Sequence, residues 1–333
     1  MSGGRLTSTR RGTSGRTTRS VVATVVGVLA MLLAGCTASY DDTPLPSATQ
    51  PPTTAPTSAG PSSQAPACRN ALASYDPSTS GSQPSVAKIK KRGKLIAGVS
   101  ADTFLLGSRN PINGRIEGFD IDMVEMVADA VLGDPNAYEL RVITAAQRID
   151  ALKNHEVDIV ARNMTINCDR WTQIAFSAEY YRSGQKLLAT RGSKIKGLAD
   201  LNGRRVCAPR GTSSLVQIQA KAPKAEIVPA DTHTGCLVLF QQGKVDVITG
   251  DDTVLAGLVA QDPYAQVVAG AAFTAEPYGL GVAPDQVDLV RFVNAALAEM
   301  KSSGQWASSY NQWLAPSLGK APTPPRAVYG RNA

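Results

Sequence analysis

"ALKNHEVDIVARN" (residues 151–163) and "LFQQGKVDVITGD" (residues 239–251) follow one pattern: a helical segment ending near His or Gly, the dipeptide Val-Asp, then a short apolar run. An amphipathic helix leading into a buried strand is a piece of a β-α-β unit, so two copies predict two similar α/β units in one chain. The neighbouring segments keep the same rhythm. In the first half, "KLIAGVS" (94–100), "YELRVITA" (138–145) and "DIVARNMT" (158–165) read as strands, while "DIDMVEMVADAVLG" (120–133, closed by Gly133) and "RIDALKNHEVD" (148–158) read as helices. After "QKLLAT" (185–190) the alternation restarts. "GLADLNGRRVCAP" (197–209) gives a short helix and a strand, "TSSLVQIQAK" (212–221) a helix, "EIVPA" (226–230) a strand, "GCLVLFQQGKVD" (235–246) a helix and "DVITG" (246–250) a strand. The class is α/β, with parallel strands and crossover helices. In open sheets of this kind ligands sit at the carboxyl ends of the strands. Those ends carry Arg162, Asn163 and Thr165 in one half, and Asp251 and Asp252 in the other.

The amino terminus reads as a targeting segment. Five arginines and no acid occupy residues 1–20, and an apolar run over 21–33 ends in "LAGC" (33–36). Basic, apolar and small-residue regions in that order form a secretory signal, and the apolar run is shorter than the ~20 residues a spanning helix requires. "LAGC" resembles the bacterial lipobox, which implies cleavage before Cys36 and acylation of its thiol, hence an attachment to the lipid bilayer. Of the formal net charge of +7, five positive charges leave with that segment and about two remain. A nucleic-acid surface is therefore not expected; the one dense basic run, "KIKKRGK" (88–94), reads as the solvated end of a helix. Residues 43–66 hold seven prolines among Ser, Thr, Ala and Gln, too little apolar surface to offset the entropy of ordering, and read as a tether.

Removing Cys36 leaves Cys68, Cys168, Cys207 and Cys236, an even number in an oxidising compartment, and two disulfides are expected. Three pairings are open. Cys207 and Cys236 lie in one segment, and joining them leaves Cys68 for Cys168. A metal site is disfavoured, because no cysteine pair has close spacing and the two histidines, His155 and His233, read as surface residues. No cofactor is expected.

The chemistry of the strand ends is recognition. Arg170 offers a planar fork of donors that matches a carboxylate, and Thr165 adds a hydroxyl. "PRGTSS" (209–214) puts Thr212 and Ser213 where a strand turns into a helix, and the free N–H groups there favour an anion. Asp251 supplies the opposite charge for an ammonium. A ligand with an α-carboxylate and an α-ammonium satisfies all of them, and that is a free amino acid.

Several stretches together, "GRIEGFDIDMV", "VARNMTINCDR", "AFSAEYYRSGQKLLA", "LNGRRVCAPRGTSS" and "VDVITGDDTVLAGL", resemble the extracellular solute-binding proteins of family 3, the polar-amino-acid receptors of ABC importers. The likeness spans about residues 90–315. "ADTFLLGSRNPINGRIEGFDID" and the Cys207 and Cys236 positions look most like the actinobacterial glutamate-binding branch, where such a cysteine pair is typical. The resemblance implies a two-lobed periplasmic-binding-protein fold of type II, each lobe a sheet flanked by helices, with two hinge strands near 185–189 and 278–282 and closure by hinge motion. The corresponding division is a signal peptide (1–35), an anchor and linker (36–85), a first lobe (86–186, returning at 281–320), a second lobe (187–280) and a loose tail (321–333).

Carried over by position, Arg170 binds the α-carboxylate with Thr165 from one lobe and Thr212 and its neighbours from the other, while Asp251 binds the ammonium. Asp102 lies near the family's first ligand loop, and Phe104 covers the ligand stem. Where many relatives carry a second aromatic, this chain has Ala145 and Ala146. Arg148, Arg162 and Asn163 stand nearby, and surplus arginine favours a side-chain carboxylate: glutamate or aspartate first, asparagine or glutamine next. The implied protein is a monomeric, lipid-anchored, extracytoplasmic receptor serving a membrane permease, or alternatively a transmembrane sensor. An enzyme on the same fold would need a poised acid or base; Glu179 and Glu276 are the only candidates near the hinges, and both read as surface residues.

Overall fold

The computed structural model describes residue 68 and residues 70–332. The signal segment, Cys36 and the proline-rich tether lie outside the described residues. Two sheets organise the rest. The first runs Tyr138–Val142, Leu95–Val99, Ile159–Ala161, Gly281–Val282, Ala175–Phe176. Its first three strands are parallel, and Gly281–Val282 runs antiparallel to both of its neighbours, Ile159–Ala161 and Ala175–Phe176. The second runs Glu226–Ala230, Arg205–Pro209, Val247–Asp251 in parallel, then the long antiparallel strand Tyr181–Thr190 and the edge strand Ala265–Val267. A small sheet of Asp102–Thr103, Gly107–Arg109 and Ile116–Glu117 caps the first lobe.

The Val-Asp repeat has the same physical role in both lobes. Each helix stops on a left-handed residue, His155 (φ 53°) or Gly243 (φ 67°). The aspartate that follows then pins the adjacent strand. Asp158 N–H donates to Ile96 O at 2.8 Å while its carboxylate accepts Ile96 N–H at 2.7 Å. Asp246 does the same with Arg205, at 2.8 and 2.9 Å. Each carboxylate also holds an arginine, Arg92 for Asp158 and Arg205 for Asp246. A strand start thus gains both backbone partners and a charge partner from one residue.

The cores differ in composition. The first lobe buries an aromatic cluster in which the Phe119 ring lies 5.8 to 6.5 Å from those of Tyr180, Tyr181, Trp306 and Tyr310. The second packs Val, Ile and Leu on both sides of its sheet, with the Cys207–Cys236 disulfide buried between strand and helix. The other disulfide joins Cys68 to Cys168.

Five boundaries differ from the sequence reading. Residues 185–189 pair with 247–251 inside the second sheet, so the lobes are bridged earlier, where 181–185 runs antiparallel to 274–278. The helix starting at Arg148 ends at Lys153, and the strand after Asp158 stops at Ala161, because Asn163 turns left-handed (φ 38°). The segment assigned to linker up to residue 85 is folded from Asn70 on. Tyr75 is buried, Ser74 Oγ donates to Phe176 O at 2.8 Å, and the first helix begins at Pro84. The tail expected to be loose is tied down: Lys301 Nζ donates to Pro325 O at 2.9 Å, and Arg331 Nε to Ala73 O at 2.8 Å. Its lack of apolar periodicity concealed this, since polar contacts to carbonyls hold it.

Candidate ligand-binding site

The first lobe contributes three arginines. After the strand Ile159–Ala161 comes Arg162, and then Asn163, whose N–H donates to Asp120 Oδ2 at 2.8 Å. Asp120 also accepts the Tyr180 hydroxyl at 2.6 Å; burial raises its carboxyl to about 6 against those two hydrogen bonds. Asn167 then caps the four-residue helix Cys168–Trp171, its Oδ1 accepting Arg170 N–H at 2.9 Å. From this turn Arg170 Nη1 reaches back to Thr165 O at 2.6 Å. Arg148, at the start of its own helix, donates to Ala145 O, Arg162 O and Gly211 O at 2.8, 3.1 and 2.9 Å, and Arg162 Nε donates to Ile143 O at 2.9 Å.

These guanidiniums are 2%, 5% and 7% exposed for Arg148, Arg162 and Arg170. Burial lowers the pKa of all three, and Arg148 is further lowered by its two cationic neighbours. Among the described residues none of the three has a carboxylate within 4.0 Å. Carbonyl oxygens therefore orient the forks without neutralising them. Burying an ion without a directly paired counter-charge costs roughly several kcal/mol, which more distant carboxylates, Asp102 and Asp120 for Arg162 and Glu276 and Asp251 for Arg170, offset only in part.

The second lobe meets them with backbone and acids. Gly211 (φ 72°) presents its carbonyl to Arg148 and, at 3.3 Å, to Arg170. A Cβ there would fall 2.5 Å from Ala146 Cα, so glycine is what lets the two loops touch. Thr212 serves as a helix cap: its Oγ1 accepts Leu215 N–H at 3.1 Å and donates to Pro209 O at 2.6 Å. Ser213 Oγ crosses the cleft to within 3.0 Å of Thr165 Oγ1. Asp251 ends the strand Val247–Asp251, buried, accepting the Tyr278 hydroxyl at 2.6 Å and Ser214 Oγ at 3.4 Å. Burial first, and the nearby charge of Glu276 second, push its carboxyl up to about 7.

Other expected site residues lie at the rim. Asp102 Oδ1 accepts Ser100 Oγ at 2.8 Å, and its backbone oxygen accepts Thr234 Oγ1 from the second lobe at 2.8 Å. Phe104 is 43% exposed, on a cavity of about 400 Å³ shared with Asp102, Leu105, Thr234, Gln261 and Trp313. Asn163 Oδ1 is buried with no partner among the described residues.

Two corrections bear on the site. Glu276 and Glu179, read as surface residues, are both 2% exposed. Glu179 is held by Arg182. Glu276 sits on the returning bridge strand Thr274–Tyr278 and joins the lobes: Oε2 accepts Thr165 Oγ1 at 2.7 Å and Ser213 Oγ at 2.6 Å, and Oε1 accepts Thr274 Oγ1 at 2.6 Å. A lone glutamate in "TAEPY" carries no signal except strand alternation. His233 is the other correction; His155 is exposed as read. Its Nε2 is buried without a partner, and the ring fills the space above Gly250, where a Cβ would come within 2.5 Å of Nε2. Burial, then the charge of Arg162, pulls its pKa down to about 4. The glycine in "VITGD" was the available clue, since a side chain there would displace the imidazole.

Among the described residues no cluster of His, Cys, Asp or Glu is placed to hold a metal ion, and no helix is long and apolar enough to cross a membrane. The site is an arrangement of fixed, opposite charges: guanidiniums from one lobe, carboxylates from the other lobe and the bridge. Such an arrangement suits a small molecule that carries both signs.

Comparison with known proteins agrees with that geometry. Residues 95–316 match the bacterial extracellular solute-binding proteins, family 3. The ABC transporter glutamine-binding protein GlnH of Bacillus subtilis is 34% identical over 249 residues, covering 74% of this chain and 91% of its own. The glutamate-binding protein GluB of Corynebacterium efficiens is 30% identical over 241 residues, covering 69% and 80%. Among solved structures, an ancestral arginine-binding protein bound to glutamine aligns with a TM-score of 0.64 at 30% identity, covering 69% of this chain and 99% of that one.

Proposed function

The chain belongs to the bacterial extracellular solute-binding proteins of family 3, and on that premise we propose that its cleft receives one free amino acid, glutamate or aspartate before glutamine or asparagine, for delivery to an ABC permease. It is a receptor and not an enzyme, as its relatives are. The observation that carries the ligand choice is the set of three buried guanidiniums that form no ion pair among the described residues. One of them, Arg170, takes the α-carboxylate together with Thr165 and the amino end of the helix Ser213–Lys221. Asp251, with Glu276 close by, takes the α-ammonium. Arg148 and Arg162 are then left for a second carboxylate on the side chain, and an amide satisfies their donors with less charge compensation. The relatives named for glutamine and for glutamate bracket the same range.

Because the ligand touches both lobes, it binds the closed form better than the open one, and that difference in affinity is what shifts the population toward closure. The membrane partner then reads the closed surface. We assign the first lobe to 70–180 with 279–332 and the second to 186–273, joined by the bridge strands 181–185 and 274–278. "LAGC" supports acylation at Cys36, which tethers the receptor outside the cytoplasm; Cys36→Ala should release it into the medium.

The test is calorimetric titration of the compact unit Ser63–Ala333 against the common amino acids. Micromolar affinity for glutamate, weaker for glutamine, and none for arginine or lysine is expected. Tightest binding of a cationic amino acid would overturn the ligand class.

A further inference from the structure

Both ends of the described chain converge on the short helix that carries Arg170. On one side Cys68 is bonded to Cys168, with a Cα–Cα distance of 5.5 Å. Ala71 O accepts the indole N–H of Trp171 at 2.8 Å. On the other side the carboxyl-terminal segment lies along the amino-terminal one: Ser74 N–H donates to Val328 O at 2.9 Å and Arg331 N–H to Ser74 O at 3.0 Å. Arg331 closes the arrangement. Its guanidinium carbon stands 3.7 Å from the centroid of the Trp171 ring, while Nε and Nη2 donate to Ala73 O and Asn70 O at 2.8 and 3.1 Å. It forms no ion pair among the described residues. The indole is further enclosed by edge contacts with Phe176 and Tyr75, at 5.5 and 6.1 Å between centroids.

The helix Cys168–Trp171 has four residues and one side-chain cap, which is too few hydrogen bonds to hold a helical turn without outside contacts. Trp171 is the residue after Arg170, so whatever fixes the indole fixes the backbone from which the guanidinium projects. A planar fork rewards its partner only in a narrow range of orientations. The clamping residues, Cys68, 70–75, Val328 and Arg331, all fall outside the 95–316 span matched to the family. They bear on the one turn that carries Arg170.

We propose that Arg331 is a positioning residue: stacked on Trp171 and bonded to the amino-terminal extension, it holds the Cys168–Trp171 turn so that Arg170 meets the ligand carboxylate in one orientation. This rests on the reading of Arg170 as the α-carboxylate anchor.

The experiment uses the full chain and glutamate as probe, with titrations well below each variant's melting temperature. Arg331→Ala should weaken binding five- to tenfold, and Arg331→Lys, which keeps a cation over the ring, should recover part of that. A merely structural arginine would lower the melting temperature and leave the affinity unchanged, which would overturn the proposal. A double-mutant cycle gives the second readout. Arg331→Ala should be non-additive with Arg170→Lys and additive with Asp251→Asn; equal additivity with both would also overturn it. If Arg331→Ala fails to fold, Trp171→Phe, which keeps an aromatic ring but loses the bond to Ala71 O and part of the surface on which Arg331 stacks, should weaken binding two- to threefold, and no change would refute the clamp. A wild-type protein that binds no amino acid refutes the functional reading, and this inference with it; a wild type that binds glutamate while Arg331→Ala is unaffected refutes the inference alone.

Discussion

The two helix–Val-Asp–strand units are alike until their last residues, and the point of divergence is where the ligand chemistry begins. Asp158 and Asp246 make the same pair of backbone bonds and each hold an arginine. Past the third strand residue, one unit leaves the sheet through Arg162 and the left-handed Asn163, while the other stays in its strand through Gly250 and Asp251. The repeated part is a solution to a folding problem, satisfying a strand start. The divergent part is electrostatic: one copy ends on a cation and the other on an anion. On the proposed reading, specificity resides in a few side chains at the open ends of two similar scaffolds.

The sharpest way to break the comparison is to substitute one member of each class. Arg170→Ala should reduce affinity for glutamate more than a hundredfold, because the ligand carboxylate would be buried without its counter-charge, a loss of roughly 3 kcal/mol or more. The folded protein should be little less stable, since the wild-type guanidinium is buried with carbonyl partners but no ion pair among the described residues. Asp246→Ala should do the reverse, lowering the melting temperature while leaving affinity within a few-fold. Titration and thermal melts of both variants check this; equal losses of affinity would mean the repeat is not separable from the site. Asp251→Asn comes next, with a loss of over tenfold, because an amide cannot balance the ammonium.

How much of this was legible depends on whether a feature leaves a periodic or a local mark. Strand runs such as "KLIAGVS" and the helix closed by Gly133 did, since burial and the left-handed stop (φ 73°) each constrain a residue type. Arg170, Thr165, Ser213 and Asp251 could be nominated from their positions at strand ends, and the structure brings them together around Gly211 and Glu276. Glu276, Tyr278 and His233 could not, because their roles come from a bridge strand and a glycine gap that only the tertiary pairing creates. Of the terminal clamp, the Cys68–Cys168 bond was legible from the cysteine count. The rest is built from backbone carbonyls, Trp171 and one arginine, a combination with no sequence pattern.

Where the two scaffolds touch, a smaller effect sharpens the same comparison. Gly257 sits inside the helix Asp252–Gln261 of the second lobe, and a Cβ there would lie 2.6 Å from Phe104 O of the first. Alanine is the better helix former by about 1 kcal/mol, so Gly257→Ala should raise the stability of the open, unliganded second lobe. The same methyl obstructs closure. Affinity should fall about tenfold while the ligand-free melting temperature rises or holds, and a fall in both would show that Gly257 matters for folding and not for the approach of the lobes.

The mildest effect is on protons, and it distinguishes the two charge poles directly. Arginines do not titrate in the accessible range, but Asp251 does, with its carboxyl raised to about 7 by burial and by Glu276, against the Tyr278 hydroxyl. Since the folded value lies above the ordinary 3.8, its contribution to stability is complete below about pH 4 and is lost as pH rises through about 7. Asp120 acts in the same sense, lost through about 6. His233, lowered from 6.5 to about 4, acts oppositely: its contribution is present above 6.5 and lost as pH falls through about 4. These oppose one another in mild acid, but between about pH 6.5 and 8 Asp251 dominates, and the ligand-free protein should melt lower as pH rises. An α-ammonium beside Asp251 favours the charged carboxylate, so binding near pH 7 should release a proton, and affinity should rise several-fold from pH 6 to 8. Titrations in buffers of different ionisation enthalpy measure that proton, and Asp251→Asn should abolish both it and the slope. A proton taken up instead, or a slope that survives in the variant, would place the ammonium somewhere other than at Asp251.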